Sequence, residues 1–200
     1  MSIHLIRSGC CWTSLAAAMV VLGTGCQAPR QPLHLSAGFD ARAVDRIVIP
    51  PVVDARPDSR IDINIDKWTR NQARRVLKQK RYTVELWDGQ AGDTTYPEEE
   101  LIDPSPQFIQ SLGPEDARWI MIFSVHDVTR KLTFGSTGNA ELAAILVDKQ
   151  EGLLVWRDKA IGRAGQGGLI GMLVVGLVSQ EAIQQATYKM IETIPKRPRR

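Results

Sequence analysis

Apolar residues fall along this chain in distinct rhythms, and the changes of rhythm mark out its elements. A run from Trp12 to Leu22 is almost wholly apolar and stops at Gly23. Residues 46–53, RIVIPPVV, are rich in β-branched side chains and predict a buried strand. That strand ends or bulges at Pro50 and Pro51, because each proline removes a ladder donor. From Asn64 to Arg81 the period lengthens to that of a helix, with Ile65, Trp68, Ala73, Val76 and Leu77 on one stripe. YTVELWD (82–88) predicts a second strand, and the polar, turn-rich stretch from Gly89 to Pro104, with Glu98, Glu99 and Glu100 inside it, predicts a loop. Ser105 followed by Pro106 suits the start of a short helix that buries Phe108, Ile109 and Leu112 and stops at Gly113-Pro114.

WIMIFSVHDV (119–128), AELAAILVD (140–148) and GLLVWRDKAIG (152–162) read as three consecutive strands. Their short joins, KLTFGSTGN and KQEG, predict antiparallel hairpins. The earlier order of strand, helix, strand demands a crossover. The expected fold is therefore α/β, a mixed sheet of about five strands with helices packed on it.

The first 26 residues have the layout of an export signal: His4 and Arg7, the apolar run, then Gly23-Thr24-Gly25-Cys26. The run is too short to span a bilayer, which takes about 20 residues. LGTGC resembles the lipobox of bacterial lipoproteins, in which a small residue precedes a cysteine that is diacylated before cleavage. Gly25 and Cys26 fit that pattern, while Gly23 stands where an apolar residue is commoner and Leu22 lies one place earlier. The competing reading is an ordinary secretory signal followed by a stray cysteine. The expected organisation is a signal over 1–25, a lipidated cysteine and tether over 26–43, one α/β domain over 44–194 and a basic, disordered tail over 195–200. A tether of about 17 residues would let the domain reach roughly 60 Å from the lipid.

Composition fits an exported single domain. Cleavage would leave 175 of the 200 residues, enough for one sizeable core, and would remove Cys10 and Cys11, so that no disulfide is possible. The formal charge of +3 falls to +2 when Arg7 leaves, too little to imply a polyanionic partner. Charge is nevertheless patterned. Lys67, Arg70, Arg74, Lys78 and Arg81 recur at helical spacing and predict a basic face, either a contact for an anionic surface or an ordinary solvated helix exterior. Without interleaved aromatic residues this face does not suit nucleic acid.

Candidate chemistry is sparse, and the sequence predicts neither an enzyme nor a cofactor other than covalent lipid on Cys26. Ser124 and His126 sit two residues apart on one strand face, but Asp127 is expected on the other, and no glycine elbow presents the serine. The histidines and the remaining cysteine form no metal-ligand spacing. Gly165, Gly167, Gly168, Gly171 and Gly176 surround an unbroken apolar run from Leu169 to Val178. A dinucleotide fingerprint would need a small residue at Ile170 and a following parallel strand. The better reading is a helix, apolar all round at its start, buried against the sheet or a second subunit. Gly168, Leu169, Gly171, Leu173 and Gly176 are then candidate assembly contacts, through close backbone approach.

IVIPPV, GPEDARWIMIFSV, AELAAILVDKQEGLLVW and GGLIGMLV together resemble a family of Gram-negative lipoproteins of unassigned function that includes a meningococcal vaccine-candidate antigen. The resemblance covers most of residues 44–180. It implies an α/β domain similar to the N-terminal domain of TolB, anchored at the periplasmic face of the outer membrane, often beside a CsgG-like secretion lipoprotein, and without established catalysis. Gln27 after the cysteine, in place of aspartate, implies sorting to the outer membrane. The function expected is an assembly or accessory role in a secretion or transport complex, as a homo-oligomer or with a CsgG-like partner. The alternative is a periplasmic ligand-binding accessory of transport.

Overall fold

A computed structural model describes residues 29–57, 61–89, 96–133, 135–168 and 175–199. Seven strands form one mixed sheet: β1 (His34–Leu35), β2 (Arg46–Ile49), β3 (Val53–Asp54), β4 (Thr83–Leu86), β5 (Trp119–Thr133), β6 (Gly135–Asp148) and β7 (Leu153–Gly167). Four helices accompany them: α1 (Ile65–Gln79), α2 (Glu98–Ile102), α3 (Pro106–Ser111) and α4 (Val175–Glu192). The sheet order is β1-β7-β6-β5-β2-β4, with β3 beside β5. β2 lies parallel to both β4 and β5, as the crossover required, and β5, β6 and β7 form the expected antiparallel hairpins.

Pro50 and Pro51 do end β2, and the chain resumes as the two-residue β3. Asn64 caps α1 by accepting from the Lys67 amide, and Ser105 does the same for α3 through Phe108, supplying partners to first-turn amides that have none within the helix.

Most differences from the sequence reading have one cause: partners far along the chain order segments that look irregular by themselves. The expected loop of 89–104 contains the helical turn α2. KLTFGSTGN is the tip of a long hairpin, because β5 continues to Thr133 and β6 begins at Gly135. β7 continues through Gly167, so Gly165 and Gly167 are strand residues. The expected tether is part of the fold: β1 adds to the β7 edge, and Phe39 and Ala41 pack on the core. The tail is held as well. The Arg197 amide donates to the Lys80 carbonyl at 3.1 Å and Tyr82 Oη donates to the Pro195 carbonyl at 2.6 Å.

One face of the sheet carries α1 and α4 over the larger core, in which Trp156, Phe123, Leu142, Leu146 and Ile183 are fully buried. Each such side chain contributes about 1.5–3 kcal/mol of transfer free energy. The opposite face is covered at one end, where α2 and α3 pack on Ile120, Ile122, Ile145 and Val147. Past that cluster the outward positions of β6 and β7 lie open, with Lys159, Ile161 and Arg163 exposed.

α4 approaches the sheet backbone closely. A Cβ placed on Gly162 would lie 1.8 Å from the Ala182 carbonyl oxygen, and one on Gly138 would lie 2.7 Å from that of Val178. The C-terminal end of α4 is tied to the β7 edge: Trp156 Nε1 donates to Thr193 Oγ1 at 3.1 Å, and that hydroxyl donates to Asp158 Oδ2 at 3.0 Å. The Asp158 side chain is fully buried, and its burial pushes the carboxyl above the ordinary value despite the nearby Arg30 charge.

Two outcomes follow from this seat. Gly162→Ala should lower unfolding free energy by about 3 kcal/mol in urea titration, because backbone must move to admit the methyl group. Gly165→Ala, whose Cβ would meet Thr137 Cγ2 at 3.3 Å, should change it by less than about 1 kcal/mol. For Asp158, a folded value above the free 3.8 means that the protonated carboxyl favours the fold. Its contribution is complete below that free value and declines as pH rises through the raised one. The stability of wild type relative to Asp158→Asn should therefore increase as pH falls from neutrality toward the free value of 3.8, and a gap that shrinks on acidification would contradict the assignment.

Candidate functional site

Cys26 precedes the described residues by three positions, and Leu169, Gly171 and Leu173 also lie outside them. Among the described residues, Arg30 is held firmly by the fold. Its guanidinium donates to Asp158 Oδ1 at 2.8 Å, to the Lys189 carbonyl at 2.7 Å and to the Lys159 carbonyl. The Leu33 amide also bonds the Asp158 carboxylate, so one buried acid organises the N-terminal segment along the β7 edge.

Gly168 follows β7 with φ +72°, in the left-handed region that favours glycine, and Gly176 lies in the first turn of α4. Leu177 beside it is 57 % exposed, and Leu132 near the tip of the β5–β6 hairpin is 54 % exposed. In register, Leu132 faces Ser136 and Arg130 faces Gly138, the glycine on which the Val178 carbonyl rests. The two leucines therefore belong to the same end of the sheet as the glycine segment.

The basic helix face divides in two. Lys67, Arg74 and Lys78 are exposed, as their spacing predicts. Arg70 corrects the expectation: it is 5 % exposed and turns inward. Its guanidinium donates to Asp88 at 2.6 Å, to Asp66 at 3.2 Å, and to the carbonyls of Trp87 at 3.0 Å and Ile49 at 3.2 Å. It thus ties α1 to the ends of the parallel pair β2 and β4, adding to the bond that the Trp87 amide donates to the Ile49 carbonyl at 3.0 Å. Arg81 also leaves the face, ending the helix with φ +74°.

A cleft of about 300 Å³ opens on the partly covered sheet face. Leu33, Leu101 and Ile102 form its apolar wall, with Ser124, His126 and Arg157 across from them. Ser124 Oγ and His126 Nε2 are 3.0 Å apart, and Arg157 donates to the Ile102 carbonyl. A β-bulge between Val125 and Asp127 adds a residue to β5 and places Asp127 opposite Glu141. Ser124 lies opposite Ala143 two residues along β6, so Asp127 shares the sheet face of Ser124, contrary to simple alternation. With Asp158 and Lys159 also in its lining, the cleft offers two cations, a carboxyl, a hydroxyl and an imidazole against an apolar wall.

The sequence reading missed a second basic row. Arg157, Lys159 and Arg163 alternate with Asp158, Ala160 and Gly162, and Ile161 continues the outward set. The signal was the period of two within WRDKAIGR, which divides the strand into a buried face and a cationic one.

No family model and no curated protein matches the chain. Several solved structures resemble it. The PelC dodecamer from Paraburkholderia phytofirmans aligns with 11% identity over 78% of this chain and 92% of that one, at a TM-score of 0.45. Lipoprotein GNA1162 from Neisseria meningitidis aligns with 20% identity over 68% and 96%, at a TM-score of 0.42. The hypothetical protein CT253 from Chlamydia trachomatis aligns with 12% identity over 74% and 94%, at a TM-score of 0.46.

Proposed function

We propose that this chain is a lipoprotein of the Gram-negative envelope, acylated on Cys26, held at the periplasmic face of the outer membrane, and acting without catalysis as an assembly or accessory component of a secretion or transport complex. The observation that carries the anchor is a juxtaposition. The Gly25-Cys26 box stands four residues before Arg30, where the fold grips the chain. A cleavage site four residues before Arg30 leaves every described strand and helix behind the new terminus.

Support for assembly comes from the far end of the sheet. Leu132 near the tip of the β5–β6 hairpin and Leu177 in the first turn of α4 are both exposed there, and large apolar side chains in the open suit contact with a second copy or a CsgG-like lipoprotein. The ligand-binding alternative has its own observation, the cleft with Arg157 beside Leu33 and Ile102.

Intact-mass measurement tests the anchor: wild type should carry acyl mass on a chain beginning at Cys26, and Cys26→Ser should carry none and remain uncleaved. For assembly, native mass measurement in detergent should show oligomers for wild type and monomers for Leu132→Asp with Leu177→Asp, at an unchanged melting temperature. A wild-type monomer at high concentration that retains a small molecule would favour the ligand-binding alternative.

A further inference from the structure

We propose that the β7 edge, with Lys159, Ile161 and Arg163 on its uncovered face and Leu33 beside them, is a docking surface for an anionic phospholipid bilayer. The proposal rests on acylation at Cys26 and adds the orientation that the anchor imposes.

Covalent reach comes first. Four residues from Cys26 to Arg30 span at most about 14 Å. Arg30 reaches Asp158, Lys159 and Lys189 through its guanidinium, so with the length of that side chain added, acyl chains on Cys26 would enter the bilayer within about 20 Å of the β7 edge. A domain so held cannot turn its opposite side, with α1, toward the lipid.

The surface has the matching chemistry. Leu33 is 65 % and Ile161 44 % exposed, and the aliphatic stems of Lys159 and Arg163 extend the apolar strip while their charges reach the headgroups. Of the nearby acids, Glu141 pairs with Lys159, Asp158 is buried beneath Arg30, and Asp127 lies on β5, two strands inward. Arg163, opposite Asn139, has no ion-pair partner among the described residues.

Addition of a foreign strand is the competing use of such an edge. Here the Lys159 carbonyl already accepts from Arg30, and the Ile161 carbonyl accepts from Lys189 Nζ at 3.0 Å. Two ladder acceptors are therefore occupied by side chains, which favours a lipid surface over a peptide.

The test uses the complete mature chain carrying Cys26→Ser, exported behind a cleavable non-lipoprotein signal, so that no acyl chain contributes. Its binding to phosphatidylcholine vesicles containing a quarter phosphatidylglycerol is measured by co-sedimentation at low salt and compared with pure phosphatidylcholine. Binding should be at least about ten-fold stronger on the anionic vesicles. Lys159→Ala with Arg163→Ala should weaken it at least about five-fold, since an unpaired cation such as Arg163 near such a surface contributes about five-fold. Lys67→Ala with Arg74→Ala on α1 should change it less than about two-fold, with melting temperatures of both variants near that of the parent. Equal binding to the two vesicles, no binding to either, or an equal loss from the α1 pair overturns the proposal. Intact mass of the native protein reports acylation separately, so the docking surface and the anchor fail by different measurements.

Discussion

The seat of α4 on Gly138 and Gly162 is the contact on which the rest of the molecule depends. With no side chain at either position, helix backbone approaches strand backbone directly, and α4 settles low enough to cover the buried faces of β6 and β7. At that height Thr193 reaches both Trp156 and Asp158, and the Lys189 carbonyl reaches Arg30. Raising the helix by the thickness of a methyl group would lengthen each of these bonds. Asp158 would then be a buried carboxylate short of donors, an arrangement more costly than the loss of packing alone. A packing decision in the C-terminal third thus sets the strength of the grip on the N-terminal segment.

The sheet uses its two faces differently, and electrostatics follows that division. On the helix-covered face, charged groups are bound by several partners each, as in the Thr193, Asp158 and Arg30 cluster, while the Thr69 and Ser179 hydroxyl oxygens are buried without one. The two terminal nitrogens of Arg70 are likewise met by two carboxylates and two carbonyls, while its Nε is buried without a partner. Beyond α2 and α3 the other face is open, and its charges need no such care. Surface pairs such as Lys159 with Glu141 contribute little to stability, which leaves those positions free to carry a functional charge.

Elements whose cause is local were legible from the sequence. The apolar periodicity of α1, the proline pair that ends β2, the serine cap of α3 and the three long hydrophobic strands each depend on neighbours within a few residues. What was not legible depends on distance. Arg70 has the spacing of a solvent-facing cation, and only the fold brings Asp88 and the ends of β2 and β4 to it. PRQPLHL (29–35) has the composition of a tether because its ordering partners, β7 and Asp158, lie 120 residues or more away. The tail is basic and proline-rich, yet Lys80 and Tyr82 hold its first residues by backbone groups that composition does not encode. The bulge after Val125 likewise reverses the face of Asp127 without any glycine or proline to signal it.

These long-range contacts change the meaning of Cys26. Read as sequence, the cysteine stands at the base of a flexible linker, and a domain on such a linker samples every orientation across tens of ångströms. With β1 paired to β7 and Arg30 locked at the sheet edge, only a few peptide units remain between the candidate lipid site and the rigid body. A short connection of that kind converts an anchor into an orienting constraint, because the conformational freedom that would average out direction has already been lost in folding. The surfaces of the domain then cease to be equivalent. With Cys26 acylated, the β7 edge would be held toward the lipid, and the outer face of α1 would be left for encounters with other proteins. Any partner that recognises the domain in place would approach it from a side turned away from the lipid.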